Sequence, residues 1–206
     1  MTEWNDGEVV RAHCHVIYRV ADRWGGLSNM HNDFPLVLGK LRIKGSEALY
    51  QACRFPHQPT WQQEILDAPH AFAAKLVAKK EDRRANHSRP DFDQIREKLM
   101  RWVLRLKLTQ HPQTFGRLLL NTQNFPIVEQ SLTDPFWGAL KVKDARDMLQ
   151  GENKLGRVLM ELRTEWRTWV YSEDPNVPEE FACPLPDVSD LNILSRPVSQ
   201  WIAQGE

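Results

Sequence analysis

No stretch of this 206-residue chain approaches the roughly 18 consecutive apolar residues that a bilayer-crossing helix needs, and Met1 to Glu8 lacks a signal-peptide pattern. Cysteine is scarce: Cys14, Cys53 and Cys183 are odd in number and have no metal-ligand or disulfide-framework spacing, which argues for free thiols in a reducing compartment. Net charge is absent too, since 27 basic residues balance 27 acidic ones. That excludes a basic field able to hold nucleic acid without local contacts, and it excludes an acidic tail. No repeat or low-complexity segment occurs. The expectation is a cytoplasmic protein with no membrane contact, long enough to bury a substantial core.

What the chain does carry is a polar stripe on a short helix. From Ser46 to Phe55, positions three, four and seven apart share a face, so Glu47, Tyr50, Gln51 and Arg54 project together while Leu49, Ala52 and Cys53 point elsewhere. Such a stripe is either a solvated surface or a site, and the surrounding elements decide. Residues 14–20 read as a strand, and Leu36–Leu38 with Lys40–Lys44 around Gly39 read as a hairpin. Ile65, Leu66, Phe72, Leu76 and Val77 recur at helical spacing, with Asp67 as an N-cap for the second half. Lys75, Lys79, Lys80, Arg83, Arg84, His87 and Arg89 make a charged loop region that could meet phosphates. Helices follow over about Phe92–Gln110, Pro112–Leu120 and Asn153–Trp169, the last with a core stripe of Leu155, Val158, Leu159, Leu162 and Trp166.

The fold class is α+β and mostly α, a helical domain with a small N-terminal antiparallel sheet. The expected organisation is a domain over residues 1–171 and a Pro-rich tail over 172–206 that packs on it.

Three further features bear on chemistry. Lys107 falls inside the apolar arc of the long helix, between Val103 and Met100. Its stem either snorkels outward or holds a desolvated amine of lowered pKa, able to act as acid, base or imine-forming nucleophile. The run Ile127 to Gly138 places Glu129, Asp134 and Trp137 on a loop, where catalytic groups concentrate, although Asp134-Pro135 also reads as a plain turn. Gly151 to Gly156 opens the last helix, whose first amides could hold an anion, or else merely cap it. His13 and His15 share a strand face but lack a third ligand, so no metal is expected.

In this order, Gly26-Leu27-Ser28-Asn29, Ser46-Glu47 through Gln51-Ala52-Cys53-Arg54-Phe55, and Leu104 through His111 resemble the NADAR family, also called YbiA-like proteins. Leu118 through Thr122, Val128-Glu129, Asp134 with Trp137-Gly138, and Gly151 through Gly156 into Leu159 through Arg163 extend the resemblance over residues 16 to 168. It implies hydrolysis, without a cofactor, of an N-glycosidic bond between a phosphorylated ribose and a base. Two substrate classes go with such proteins: ADP-ribose on a guanine of nucleic acid, and phosphoribosylated intermediates of riboflavin synthesis. A module that binds ADP-ribose or a nucleotide without cleaving it is the remaining alternative.

Breaking such a bond builds positive charge at the ribose and negative charge on the base, which calls for a carboxylate and a proton donor. The resemblance makes Glu47 and Asp134 the candidate carboxylates and Lys107 the candidate imine-forming amine. Ser28 and Asn29 become candidates for ribose hydroxyls, Arg54 for a phosphate and Trp137 for stacking on the base. Gln51, Glu129, Gly138 and Asn153 complete the expected substrate-binding set. One departure matters: relatives commonly carry lysine where Arg54 stands, and a guanidinium cannot form an imine.

Overall fold

The computed structural model describes residues 7–80, 87–173 and 181–203. Arg83 and Arg84 of the expected charged loop lie outside the described residues, as do Pro175 and Pro178 of the tail. In chain order the elements are β1 (Glu8–Val10), β2 (His15–Ile17), β3 (Leu36–Leu38), β4 (Leu41–Ile43), α1 (Ser46–Ala52), α2 (Pro59–Asp67) and α3 (Ala71–Ala78). There follow α4 (Phe92–Gln110), a π-turn at Pro112–Gly116, α5 (Arg117–Leu120), β5 (Ile127–Glu129), β6 (Leu140–Val142), β7 (Ala145–Gln150) and α6 (Lys154–Tyr171). The last elements are β8 (Asn192–Ile193), β9 (Arg196–Pro197) and α7 (Val198–Ile202). This is an α+β fold, dominated by helix.

By contact the chain forms two compact units: Met1–Ser28 with His111–Ala182, and Asn29–Gln110 with Cys183–Glu206. In the first unit, β7 is the centre of an antiparallel sheet between β1 and β6, and Val9, Val128, Ala139 and Leu149 form a buried cluster. The segment expected as a strand over 14–20 is extended only at His15–Ile17, and it pairs in parallel with β5, His15 opposite Ile127. Helix α6 buries Leu155, Val158, Leu159, Leu162 and Trp166, the stripe read from spacing. Its close approach to β5 requires Gly156, because a Cβ there would lie 2.1 Å from the Ile127 carbonyl oxygen.

The second unit is built around α1. The hairpin β3/β4 forms with Leu38 opposite Leu41, and Gly39 takes the left-handed φ of 55° that its turn needs. Helix α1 packs against α2, α3 and α4. All seven of its residues are buried, so the polar stripe is not a solvated face. Asp67 ends α2 and does not cap α3. That cap is His70, whose Nδ1 accepts from the Ala73 amide at 3.1 Å.

The segment after residue 182 is tied to this unit. Gln62 donates to the Asn192 carbonyl at 2.8 Å and accepts from the Leu194 amide at 2.6 Å. Arg89 clamps both Asp91 oxygens, at 2.6 and 2.9 Å, and donates to the Ser189 carbonyl at 2.8 Å. Arg89 is therefore a buried clamp and not part of a solvated loop.

Candidate functional site

In the second unit the α1 stripe is organised by hydrogen bonds around one carboxyl group. Glu47 is 4% exposed. Its Oε2 accepts from Asn29 Nδ2 at 2.5 Å and its Oε1 from Gln51 Nε2 at 2.8 Å. Gln51 sits one helical turn after Glu47, the spacing that lets two side chains of one face meet. Asn29 arrives from the loop before β3, and the Ser46 hydroxyl fixes that loop by donating to the Asn29 carbonyl at 3.2 Å. Arg54 donates to Gln51 Oε1 at 3.2 Å, so the chain of bonds runs from guanidinium through carboxamide to carboxylate. The guanidinium carbon also lies 4.8 Å from the Phe92 ring centre and 5.5 Å from that of Phe55.

Asn29, Glu47, Gln51 and Arg54 are thus brought into one network. Two carboxamide donors, one on each oxygen, fix the plane of the Glu47 carboxyl. The remaining lone pairs of those oxygens can meet a developing cation or a hydroxyl.

Lys107 does not snorkel. It is 0% exposed, with its ammonium 4.4 Å from the Phe34 ring centre. Burial drops its pKa to about 7. His31, whose ring centre is 5.2 Å from that of Phe34, also has a lowered pKa, from burial first, with Asp33 raising it and Lys107 lowering it. Phe34 and His31 escaped the sequence reading, because nothing in a loop aromatic or an isolated histidine marks what it will lie against.

In the first unit the expected residues fall into a turn and a bridge. Asp134 Oδ1 accepts from the amides of Phe136 at 3.1 Å and Trp137 at 3.0 Å, and the half-buried Trp137 ring meets Phe136 edge to face. Asp134 thereby forms an Asx turn, one of the two readings its sequence allowed. Asn153 is 0% exposed, with backbone in the left-handed region at φ 49°. Its side chain donates to the Ile127 carbonyl at 2.8 Å and accepts from the Glu129 amide at 3.0 Å, locking α6 to β5.

Two amides at the start of α6 do not await an anion. Lys154 donates to the Phe136 carbonyl at 3.0 Å and Leu155 to that of Trp137 at 3.1 Å. The Gly138 carbonyl takes the Asn153 amide at 3.1 Å, and Ser28, nearly buried, closes the short helical turn before it through its amide on Gly25. His15 lies 4.2 Å, ring centre to ring centre, from Trp24 and 5.0 Å from Phe125. Among the described residues no group of three or more His, Cys, Asp or Glu side chains could hold a metal.

Comparison with known proteins gives a consistent picture. Residues 17–167 match the family model described as NADAR domain. The chain is 30% identical over 148 residues to the Escherichia coli protein named N-glycosidase YbiA, covering 72% of this chain and 85% of that one. It is 33% identical over 120 residues to a Vibrio vulnificus protein named for riboflavin biosynthesis, of which it covers 30%. The NMR structure of E. coli YbiA superposes with a TM-score of 0.65 at 25% identity, covering 84% of this chain and 95% of that one.

Proposed function

The chain belongs to the NADAR family and hydrolyses N-glycosyl bonds, and we propose that it removes ADP-ribose from a guanine base of nucleic acid, with Glu47 meeting the charge that forms at the ribose. The observation that carries the assignment of Glu47 is its burial between two amide donors on a helix that is wholly interior. A carboxylate held in that way costs little reorganisation when positive charge develops beside it.

The reaction needs no cofactor. As the bond from C1′ to the base nitrogen breaks, its electron pair leaves with the base, and C1′ becomes cationic. A water oxygen then bonds to C1′, and the proton it sheds passes to Glu47, while the base nitrogen takes a proton from solvent or a neighbouring acid. Arg54, which donates to Gln51, is the residue we assign to a phosphate of the substrate.

Nucleic acid as the bearer of the base is supported by α3, which packs directly on α1. It exposes Phe72 and Leu76 beside Lys75, Lys79 and Lys80 at its end, a combination suited to bases and phosphates. Lys80 also lies 3.9 Å from Glu64.

An imine route through Lys107 is the alternative chemistry. A pKa of about 7 would supply neutral amine, on a side chain whose nitrogen lies against the Phe34 ring. Direct attack of water is the route we favour, because both oxygens of Glu47 are already aligned by amide donors.

A phosphoribosylated riboflavin intermediate is a second substrate reading, favoured by the likeness to the Vibrio protein. Incubation with an ADP-ribosylated guanine oligonucleotide and with a phosphoribosylaminopyrimidine, followed by mass spectrometry, separates the two. Release of ADP-ribose from the oligonucleotide supports the proposal. Release of ribose phosphate from the pyrimidine alone would replace it with the second reading.

A further inference from the structure

In the first unit, the turn after α5 presents a phenylalanine to solvent at the end of a row of rings. Phe125 is 48% exposed, its ring centre is 5.0 Å from that of His15, and His15 is 4.2 Å from Trp24. The guanidinium carbon of the exposed Arg23 sits 4.8 Å from the Trp24 ring centre and ends the row. Both ends are fixed. The loop from Arg19 to Gly25 closes so tightly that a Cβ on Gly25 would lie 2.2 Å from the Val20 carbonyl oxygen. At the other end, two arginines one turn apart on α6 grip the turn. Arg163 donates to the Thr122 hydroxyl and the Phe125 carbonyl, each at 2.8 Å, and Arg167 donates to the Asn124 side chain and the Gln123 carbonyl, each at 2.6 Å. The exposure of Phe125 is therefore built in, since a slack turn would fold the ring inward and bury its apolar area.

The same residues gather positive charge with nothing to balance it. Among the described residues no carboxylate pairs with Arg23, Arg163 or Arg167. Asp22 takes the Arg19 amide at 3.2 Å, and Glu161 and Glu165 stand two positions from Arg163, on other faces of α6. Burial first, and then the Arg167 charge, lower the Arg163 pKa to about 10. Burial likewise lowers that of His15, with Arg23 and Arg163 adding to the effect and the Thr122 backbone opposing it. A glutamine would offer these carbonyls a donor without such repulsion. Arginines crowded together in this way are stabilised by an anion that joins them.

We propose that this face of the first unit binds single-stranded nucleic acid, with an unpaired base stacked on Phe125 and the adjoining phosphates held by Arg23 and the α6 arginines. Rings for bases beside guanidiniums for phosphates are what such strands require, because every base has a π-face and every linkage a charge. A duplex keeps its bases stacked on one another and offers Phe125 none. The chain has no net charge and so no broad field for nucleic acid, which makes binding depend on a local cluster of this kind. The residues belong to the first unit, whereas α1 and α3 belong to the second, and the proposal does not depend on the hydrolysis assigned to Glu47.

The test titrates the full chain into a short, dye-labelled, unmodified deoxyoligonucleotide, single-stranded or annealed to its complement, and follows anisotropy at about 50 and 200 mM salt. A second strand with 2-aminopurine at its centre reports stacking through quenched fluorescence. The single strand should bind with a Kd of roughly 10⁻⁶–10⁻⁴ M, tighter than the duplex, and quench the 2-aminopurine. Phe125→Ala keeps the carbonyl that Arg163 holds, so the turn stays. It should weaken binding about 5-fold or more and abolish the quench without changing the salt dependence, and Phe125→Trp should restore both. Arg23→Gln should lower the slope of log affinity against log salt by about 0.7. Equal affinity for strand and duplex, or unchanged binding by Phe125→Ala, would overturn the proposal. So would a loss seen in Phe72→Ala and not in Phe125→Ala, which would place the strand on α3. Release of ADP-ribose is a separate measurement, so failure here leaves the glycosidase reading standing.

Discussion

Asn29 and Glu47, 18 residues apart in sequence, meet at 2.5 Å inside the unit that α1 organises. The bond joins a loop to a helix and aims a carboxyl group in one step. Both residues are buried, so the contact is shielded from screening by salt.

Lys107→Met should change how stability depends on pH. Burial lowers the Lys107 pKa to about 7 from 10.5, so between those values the unfolded chain holds a proton that the folded one has released. Stability of the wild type therefore rises with pH through that window, by up to about 1.4 kcal/mol per unit, and is flat in this respect below it. Urea denaturation at pH 6, 8 and 9 should show the variant gaining most over the wild type at pH 6, with the gap narrowing as pH rises. A gap that stays constant would contradict the burial of this charge.

Gly156→Ala should destabilise the protein, although alanine is the better helix former by about 1 kcal/mol. Its Cβ would lie 2.1 Å from the Ile127 carbonyl oxygen and within 2.6 Å of the Asn153 amide. Relieving that crowding means moving α6 off β5 and weakening the Asn153 bridge. We expect a net loss of about 1–3 kcal/mol in denaturant titration. A stabilised variant would show that the helix start is not packed as described.

Much of the fold could be read locally. Leu36–Leu38 and the helix over Phe92–Gln110 lie where alternation and helical period put them, because both patterns repeat within a few residues of themselves. The cap of α3 was misread: Asp67 has the better intrinsic propensity, but the chain continues α2 through it and leaves His70 in the extended backbone a cap requires. The parallel pairing of His15 with Ile127 left no local mark, since its partners are far apart in sequence. The same limit applies to the site. Glu47, Gln51 and Arg54 showed themselves by helical spacing, whereas the Asn29 bond to Glu47 and the Phe34 ring under Lys107 arise only when distant segments meet. The α6 amides looked open in sequence because the carbonyls that satisfy two of them come from Phe136 and Trp137.

Arg89→Ala should loosen the C-terminal segment first. The guanidinium side chain joins Asp91 to the carbonyls of Ser189 and Asp190. Limited proteolysis should cut within residues 187–194 faster in the variant, with a stability loss of about 1–3 kcal/mol. The same hydrogen bonds hold the Asp91 carboxyl below its ordinary pKa. Their contribution is present near neutrality and is lost as pH falls through the lowered value, so the gap between wild type and variant should shrink in acid. Unchanged cleavage in the variant would mean that other contacts, such as the Gln62 and Lys98 bonds, suffice to secure the segment.

The most direct test of the account compares the wild type with Glu47→Gln on an ADP-ribosylated guanine oligonucleotide, with release of ADP-ribose followed by mass spectrometry. The substitution keeps the size of the side chain and removes its charge. The account predicts that the variant's kcat falls roughly 10²–10⁴-fold, and that its melting temperature drops modestly, because the new amide nitrogen faces a donor that had met an oxygen. Turnover by Glu47→Gln at the wild-type rate would contradict it.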